Sequence, residues 1–143
     1  MKWWEKTVEY IFVLSAVRDH KMFVAPLDGI EELAGDAIFC SKNKWILIEF
    51  KKDKASISDE KLKFEVLYFD KAKIALKDKD AHHFIVYGKA GLLAQSHQHS
   101  HIELCFQTYF SKTIKVTIGD MLQCGADLIS FIDYVTTVRL ITE

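Results

Sequence analysis

The residues best suited to chemistry in this chain are an acid and a base two positions apart, Glu49 and Lys51, in the stretch WILIEFKKDK. Side chains alternate along a strand, so these two share one face with Leu47, while Ile48 and Phe50 point to the other face. A carboxylate and an ammonium side by side at the end of an apolar strand have two interpretations. They are either a solvated ion pair where the strand emerges or part of a site.

A second carboxylate is predicted to lie beside this pair. Asp36 begins the run DAIFCS, which the polar turn KNK separates from WILIEF, and this pattern is typical of a β-hairpin. Antiparallel pairing brings the start of the first strand to the end of the second, so Asp36 and Glu49 should converge. Two carboxylates repel unless a cation lies between them, and Mg²⁺ or Mn²⁺ is the usual one. With Lys51 stabilising charge on a phosphate oxygen, the pattern predicts a phosphodiester-cleaving site.

The elements that position these residues follow from the spacing of apolar residues. A first helix is predicted over residues 3–17, and a long amphipathic helix is predicted from the N-cap Ser58 to about residue 79. A last helix is predicted from the N-cap Thr117 to about Asp133, with YVTTVRLIT as its extension or as a final strand. Predicted strands lie near 22–25, 36–41, 45–50, 82–88, 101–110 and 112–117. The fold class is therefore α/β, in a single domain with a core over residues 1–88 and a C-terminal α/β extension over 89–143.

The inward face of the first helix is predicted from its apolar stripe. The spacing favours a face that carries Trp4, Val8, Ile11 and either Leu14 or Ser15, with acidic and basic residues beside it.

The stretch GDAIFCSKNKWILIEFKKD resembles the core motif of the PD-(D/E)xK nuclease superfamily, which has the restriction-endonuclease-like fold. In that family an Asp on one hairpin strand is followed by Glu-x-Lys on the next. Asp36, Glu49 and Lys51 match those positions one by one, with Gly35 in place of the family's proline. The predicted order of helix, three strands, helix and strand is also similar to the family's core. The size is similar to that of archaeal Holliday-junction resolvases and of nuclease domains in bacterial defence systems.

The resemblance implies a metal-dependent nuclease with roles for five residues. Asp36 and Glu49 would ligate Mg²⁺ or Mn²⁺ with help from the carbonyl of Phe50, and Lys51 would be the electrostatic catalyst. Glu9, on the first helix, would complete the site, as an acidic residue on that helix often does in the family. DNA is the expected substrate, and RNA is the alternative.

Any nucleic-acid contact must come from local charge, because 19 Lys and Arg face 20 Asp and Glu and the formal net charge is −1. One local basic patch adjoins the proposed site, and we expect it to contact phosphates, with a solvated face as the alternative. Besides Lys51, its members are Lys52, Lys54, Lys61 and Lys63. A homodimer through the apolar C-terminal third is also expected, because two copies would add their phosphate contacts.

Each candidate residue also has an interpretation without chemistry. Asp36 after Gly35 is typical of a turn, and Glu49 with Lys51 is typical of a solvated strand end. Glu9 is equally typical of a solvated helix face. The alternative functions are therefore a non-catalytic module of the same fold that binds nucleic acid or a protein, and an unrelated α+β interaction protein.

The stretch SHQHSH is a second candidate for metal binding. If a strand begins early, His97, His99 and His101 share one face with Glu103, and alternating imidazoles can bind Zn²⁺. A polar loop or an exposed strand edge is the favoured interpretation of these histidines.

The spacing of the cysteines and the hydropathy of the chain predict the cellular compartment of the protein. The spacing of Cys40, Cys105 and Cys124 fits no zinc motif, so we expect reduced and mostly buried thiols. No stretch reaches the roughly 18 uncharged apolar residues that a membrane span needs. We therefore expect a soluble, cytoplasmic protein without a membrane partner.

Overall fold

The computed structural model describes residues 3–26, 36–63, 68–93 and 96–142, and the side chains of 26, 59–63, 92–101 and 142 lie outside that description. Its helices are α1 (Glu5–His20), α2 (Tyr68–Leu76), α3 (Ile118–Gln123) and α4 (Leu128–Thr142), with a 3₁₀ helix over Lys54–Lys63. Its strands are β1 (Phe23–Pro26), β2 (Ala37–Ser41), β3 (Lys44–Lys51), β4 (His83–Leu93), β5 (Ser96–Thr108) and β6 (Ile114–Lys115). The predicted α/β class is confirmed.

The six strands form one mixed sheet in the order β1-β2-β3-β4-β5-β6. Every neighbouring pair is antiparallel except β3 and β4, which are parallel and are connected through α2. Residue 88 lies inside β4, and β5 pairs with β4 along most of its length. The last third of the chain therefore continues the same sheet.

Helices cover the sheet on both sides, and β3 is buried between them. On the side we call the α1 face, α1 and α3 pack on Ile46, Ile48 and Phe50 of β3. On the opposite side, the α2 face, α2 and α4 pack on Leu47. A strand buried on both faces is apolar at nearly every position, which explains the run WILIEF and makes Glu49 its exception.

The hairpin that carries the candidate site is confirmed. Two residues, Lys42 and Asn43, connect β2 to β3, and their φ angles are 49° and 63°. Positive φ at both central positions is the type I′ geometry, which matches the twist of paired strands. The register that follows pairs Ala37 with Ile48 and Ser41 with Lys44.

The prediction of one long helix from Ser58 to about residue 79 was wrong. The chain forms the 3₁₀ helix and then the shorter α2, and residues 64–67 lie outside the described part. The local turn starts earlier than predicted, because the Asp53 carboxylate accepts hydrogen bonds from the backbone N–H and the hydroxyl of Ser56, at 3.0 and 2.8 Å. Ser58 does not cap a helix, since its hydroxyl donates to the Ala55 carbonyl.

The predicted inward stripe of α1 was also wrong in part. The buried residues of α1 are Val8, Phe12 and Ala16, whereas Leu14 and Trp4 are 65% and 67% exposed. Apolar residues occur on every side of the segment YIFVLSAV, so its spacing does not select one face. Packing selects Phe12, whose ring meets those of Phe39 and Phe50 edge-on.

The C-terminal helix is divided in two. Thr117 is the N-cap of α3, as predicted, and its hydroxyl accepts a hydrogen bond from the backbone N–H of Asp120. The helix ends at Gln123 instead of Asp133. Ala126 is not helical, because its backbone N–H and C=O form hydrogen bonds with the backbone of Trp45, at 2.9 and 2.7 Å. YVTTVRLIT then lies in α4, so its helical alternative is the observed one.

The structure bears on two expectations from composition, one about membrane-spanning helices and one about the cysteines. Among the described helices, none combines the length and apolar character required to cross a bilayer. Cys40, Cys105 and Cys124 carry free thiols and are half-buried, which is more exposed than predicted.

Candidate active site

Asp36 lies where β3 ends. Its carboxylate oxygen Oδ2 accepts a hydrogen bond of 2.7 Å from the backbone N–H of Phe50, and its own N–H donates to the Ile48 carbonyl at 2.8 Å. These two hydrogen bonds hold Asp36 against Ile48 and Phe50 of β3, just beyond the last hairpin pair, Ala37 with Ile48. The structure therefore brings Asp36 to the end of β3 that carries Glu49 and Lys51.

The backbone of Phe50 is directed towards the same place. In an extended strand the N–H and the C=O of one residue point towards the same neighbouring strand. Because the Phe50 N–H meets the Asp36 carboxylate, the Phe50 carbonyl is directed to that side as well. The oxygen atoms of Asp36 and Phe50 are thus gathered at one edge of the sheet.

Glu49 is buried on the α2 face. Its side chain is 3% exposed, and its register partner across the parallel pair is Ile85, a core residue of that face. Burial of a carboxylate lowers stability unless cations or donors compensate it. The interpretation of Glu49 as a solvated strand end is therefore wrong. Lys51 follows on the same face, half-buried and in register with Tyr87.

Glu9 is placed differently from the other candidates. It lies on α1 and forms an ion pair with Lys6, at 2.7 Å. The hydrogen bond and the charge of Glu9 raise the pKa of Lys6, and the charge of Asp36 acts on Lys6 in the same direction. Glu9 thus adjoins the site through Lys6, while α1 itself packs on the face opposite to the Glu49 side chain. Its role at the metal stays a prediction.

The predicted basic patch is distributed over two sides of the sheet. The ammonium of Lys52 lies 6.0 Å from the ring centre of Trp4, at the start of α1, whereas Lys54 is exposed on the other side and lines a cavity of the α2 face. Lys61 and Lys63 belong to the 3₁₀ helix, but their side chains lie outside the described part. Phosphate contacts by these lysines stay a prediction.

The structure offers a small set of ligands for a metal. Within the described residues, no three or more His, Cys, Asp and Glu side chains gather as a metal-ion cluster. The candidate set is therefore two carboxylates and one backbone carbonyl, from Asp36, Glu49 and Phe50. The strand with His97, His99 and His101 does begin early, at Ser96, but these three side chains lie outside the described part.

A buried polar cluster on the α2 face was not predicted from the sequence. Asp80 and His83 are 2% and 0% exposed, and Nδ1 of His83 lies 2.7 Å from the hydroxyl of Tyr134 on α4. The ring of His83 stacks on Tyr109 at 4.1 Å. Burial raises the pKa of Tyr134, and burial lowers the pKa of the adjacent His82. The signal in the sequence was the pair His82–His83 at the start of an apolar strand.

Gln107 is another buried polar residue that the sequence did not single out. It is 7% exposed, and it is the register partner of Ile85, so it lies on the α2 face two strands away from Glu49. It lines the same cavity as Lys54.

No protein-family model matches this chain, and neither a curated protein nor a solved structure is significantly similar to it. The resemblance to the PD-(D/E)xK superfamily therefore depends on the motif residues and on the order of the elements.

Proposed function

We propose that this protein is a metal-dependent nuclease with a restriction-endonuclease-like core, which hydrolyses phosphodiester bonds in DNA. The observation that supports it best is the contact of the Asp36 carboxylate with the Phe50 amide. That contact joins Asp36 to the end of the strand on which Glu49 is buried and Lys51 is half-buried. The observed order of helix, three strands, helix and strand agrees with the proposal.

The residues at this edge fit Mg²⁺ or Mn²⁺ as the cofactor. Carboxylate and carbonyl oxygens are the ligands that these hard ions prefer, and in the proposed site they would come from Asp36, Glu49 and Phe50. The metal would supply a polarised phosphate and an activated water. The Phe50 N–H fixes the orientation of the Asp36 carboxylate in advance, so a ligand position exists before the substrate arrives.

Lys51 has the role of stabilising negative charge in the transition state. It stands next to Glu49 on the α2 face, two residues along the strand. An ammonium held at that position can pair with the non-bridging oxygen of a phosphate when charge develops there. Lys51→Ala should therefore abolish turnover while sparing metal binding.

A cleavage assay tests the proposal. Supercoiled plasmid, single-stranded DNA and RNA are incubated with the protein in Mg²⁺ and, separately, in Mn²⁺. We expect cleavage of DNA by the native protein and background rates for Asp36→Ala and Lys51→Ala. The matched control is Asp78→Ala, an exposed aspartate that should cleave normally. No cleavage by the native protein, or undiminished cleavage by Asp36→Ala, would contradict the proposal.

The alternative function is a non-catalytic module of the same fold that binds nucleic acid or a protein partner. One observation favours it, since the Asp36 carboxylate completes the hydrogen bonding of β3 and thereby has a structural use. The same assay separates the two functions. A module would bind DNA in a gel-shift experiment, leave it uncut in either metal, and bind it equally well after Asp36→Asn.

A homodimer is part of the proposal. It is supported by apolar residues of α4 that stand exposed, with Ile129 at 80%, Ile132 at 54% and Leu140 at 69%. An exposed apolar helix face is typical of a surface that a partner covers. Light scattering at tens of micromolar should show a dimer, and Ile129→Lys should yield a monomer. A native protein that is only monomeric would contradict this part.

A further inference from the structure

A cavity of about 310 Å³ opens on the α2 face, beside the candidate active site. That volume is at the lower end of the range of roughly 300–1,000 Å³ for small-molecule sites. Ile85, the register partner of Glu49, forms part of its wall. The cavity therefore adjoins the proposed catalytic residues and has room for a ligand the size of a nucleoside.

The walls of the cavity suit a flat, partly apolar ring. Half of its described lining residues are apolar or aromatic, namely Ile57, Phe69, Ile85 and Tyr109. Proteins that take a base out of its stack hold it between such side chains, and every base offers a ring face for these contacts.

Gln107 gives the cavity a side-chain amide, beside the hydroxyl of Tyr109. The side chain is 7% exposed, and among the described residues none makes a hydrogen bond to its amide. An amide both donates and accepts, so it can pair with the edge of a base, where donors and acceptors stand side by side.

The charge of the cavity suits a phosphate. Its described lining contains Lys54 and Lys112, both exposed, and no acidic residue. In the sheet, Glu49, Ile85 and Gln107 form one row across β3, β4 and β5. Two strand spacings separate Glu49 from Gln107, or about 10 Å between backbones. A single nucleotide can span from the proposed catalytic edge to Gln107.

We propose that this cavity binds one unstacked nucleobase of the strand that is cut, next to the phosphate that a metal at Asp36 and Glu49 would bind. The inference rests on the proposed function for its link to cleavage. It names the substrate more closely, because only single-stranded DNA or a duplex with an unpaired nucleotide presents a base in this way. Fully paired DNA requires that a base pair be opened first.

Binding of single nucleotides tests the cavity apart from catalysis. Deoxyadenosine 5′-monophosphate and thymidine 5′-monophosphate are titrated without metal and followed by NMR, and 2-deoxyribose 5-phosphate serves as the probe without a base. We expect both nucleotides to bind at millimolar concentration or tighter and the sugar phosphate to bind much more weakly. Gln107→Leu should weaken nucleotide binding roughly 3- to 10-fold, the effect of one lost hydrogen bond.

Three further variants make the binding test specific. Gln123→Leu, the same change on α3 and outside the cavity, should bind as the native protein does. Gln107→Glu, which keeps the size and polarity of the side chain, should also lose binding, so a folding defect of the leucine variant would not hide the result. Asp36→Asn should bind nucleotides normally although it cannot cleave. Equal binding by Gln107→Leu, or equal binding of the sugar phosphate, would overturn the proposal.

Cleavage provides the second measurement. An oligonucleotide with one unpaired nucleotide should be cut next to it, faster than a fully paired duplex, and removal of that single base should slow the cut. Cleavage without any nucleotide binding would refute the base-binding cavity and leave the nuclease standing. Nucleotide binding that depends on Gln107, without cleavage of any substrate, would refute the nuclease and support the cavity as a nucleotide site.

Discussion

Asp36 and Asp80 are both aspartates that accept backbone hydrogen bonds on this sheet, yet their surroundings differ. Asp80 is 2% exposed and holds one turn, since its carboxylate accepts from the backbone N–H groups of Phe110 and Ser111, each at 2.7 Å, and from the Ser111 hydroxyl at 2.6 Å. Asp36 is half-buried beside the end of β3 and accepts from Phe50, the residue that follows Glu49.

The difference between the two aspartates separates stability from function. A carboxylate whose oxygens accept hydrogen bonds from the donors of one turn stabilises that turn. A carboxylate that faces a second carboxylate repels it, which lowers the stability of the metal-free protein. We therefore assign Asp80 to folding and Asp36 to the proposed chemistry, and substitutions at the two positions should have opposite effects.

The largest expected effect is on cleavage by Asp36→Asn. The rate should fall by roughly 10²–10³-fold or more, because the metal ligand would be lost. The melting temperature should stay the same or rise slightly, since asparagine keeps an oxygen acceptor for the Phe50 N–H and removes the repulsion with Glu49. Initial rates and thermal melts of the same preparation check both parts. A stable variant that cleaves normally would remove Asp36 from the site.

Asp80→Ala should show the converse pattern. It removes three hydrogen bonds to a charged acceptor and leaves two backbone N–H groups without that acceptor. The free energy of unfolding should therefore fall by about 3 kcal/mol. Urea unfolding measures this loss, with Asp78→Ala as the exposed control. At a temperature where the variant is still folded, its cleavage rate should equal the native rate. A folded but inactive Asp80→Ala protein would break the comparison.

The smallest expected effect is the pH dependence that His82 contributes. Burial lowers the pKa of His82, and the charge of Asp80 opposes that shift only in part. Below the ordinary histidine pKa of about 6.5 the unfolded chain takes up a proton that the folded protein resists, so stability is complete above that pH and declines as the pH falls below it. One such group contributes a slope of at most about 1.4 kcal/mol per pH unit. Unfolding at pH 5 and pH 7.5 should show a smaller difference in His82→Gln than in the native protein.

The sequence predicted the hairpin well because a hairpin depends on short-range rules. The period of two puts Glu49 and Lys51 on one face, and a two-residue turn fixes the register of β2 against β3. The chemistry of the site stays a prediction. The face of α1 was not predictable, since the apolar residues surround that helix and only Phe39 and Phe50 decide that Phe12 turns inward.

Other features depended on contacts far apart in the chain. His83 meets Tyr134 across 51 residues, and Asp80 reaches Phe110 across 30, so neither pair has a local pattern. The surroundings of Gln107 also depend on distant contacts, because the other residues that line its cavity include members of the 3₁₀ helix, α2 and β4. Periodicity reports which face a residue occupies, and it does not report what the face encloses.

Thermal melts with and without Mg²⁺ test the central claim, that Asp36 and Glu49 hold a metal, most directly. A ligand that binds only the folded protein stabilises it by about 1.4 kcal/mol at ten times its Kd. Mg²⁺ should therefore raise the melting temperature of the native protein and of Lys51→Ala, and it should leave Asp36→Asn unchanged. Indifference to Mg²⁺ in all three proteins, or an equal rise in Asp36→Asn, would contradict the account.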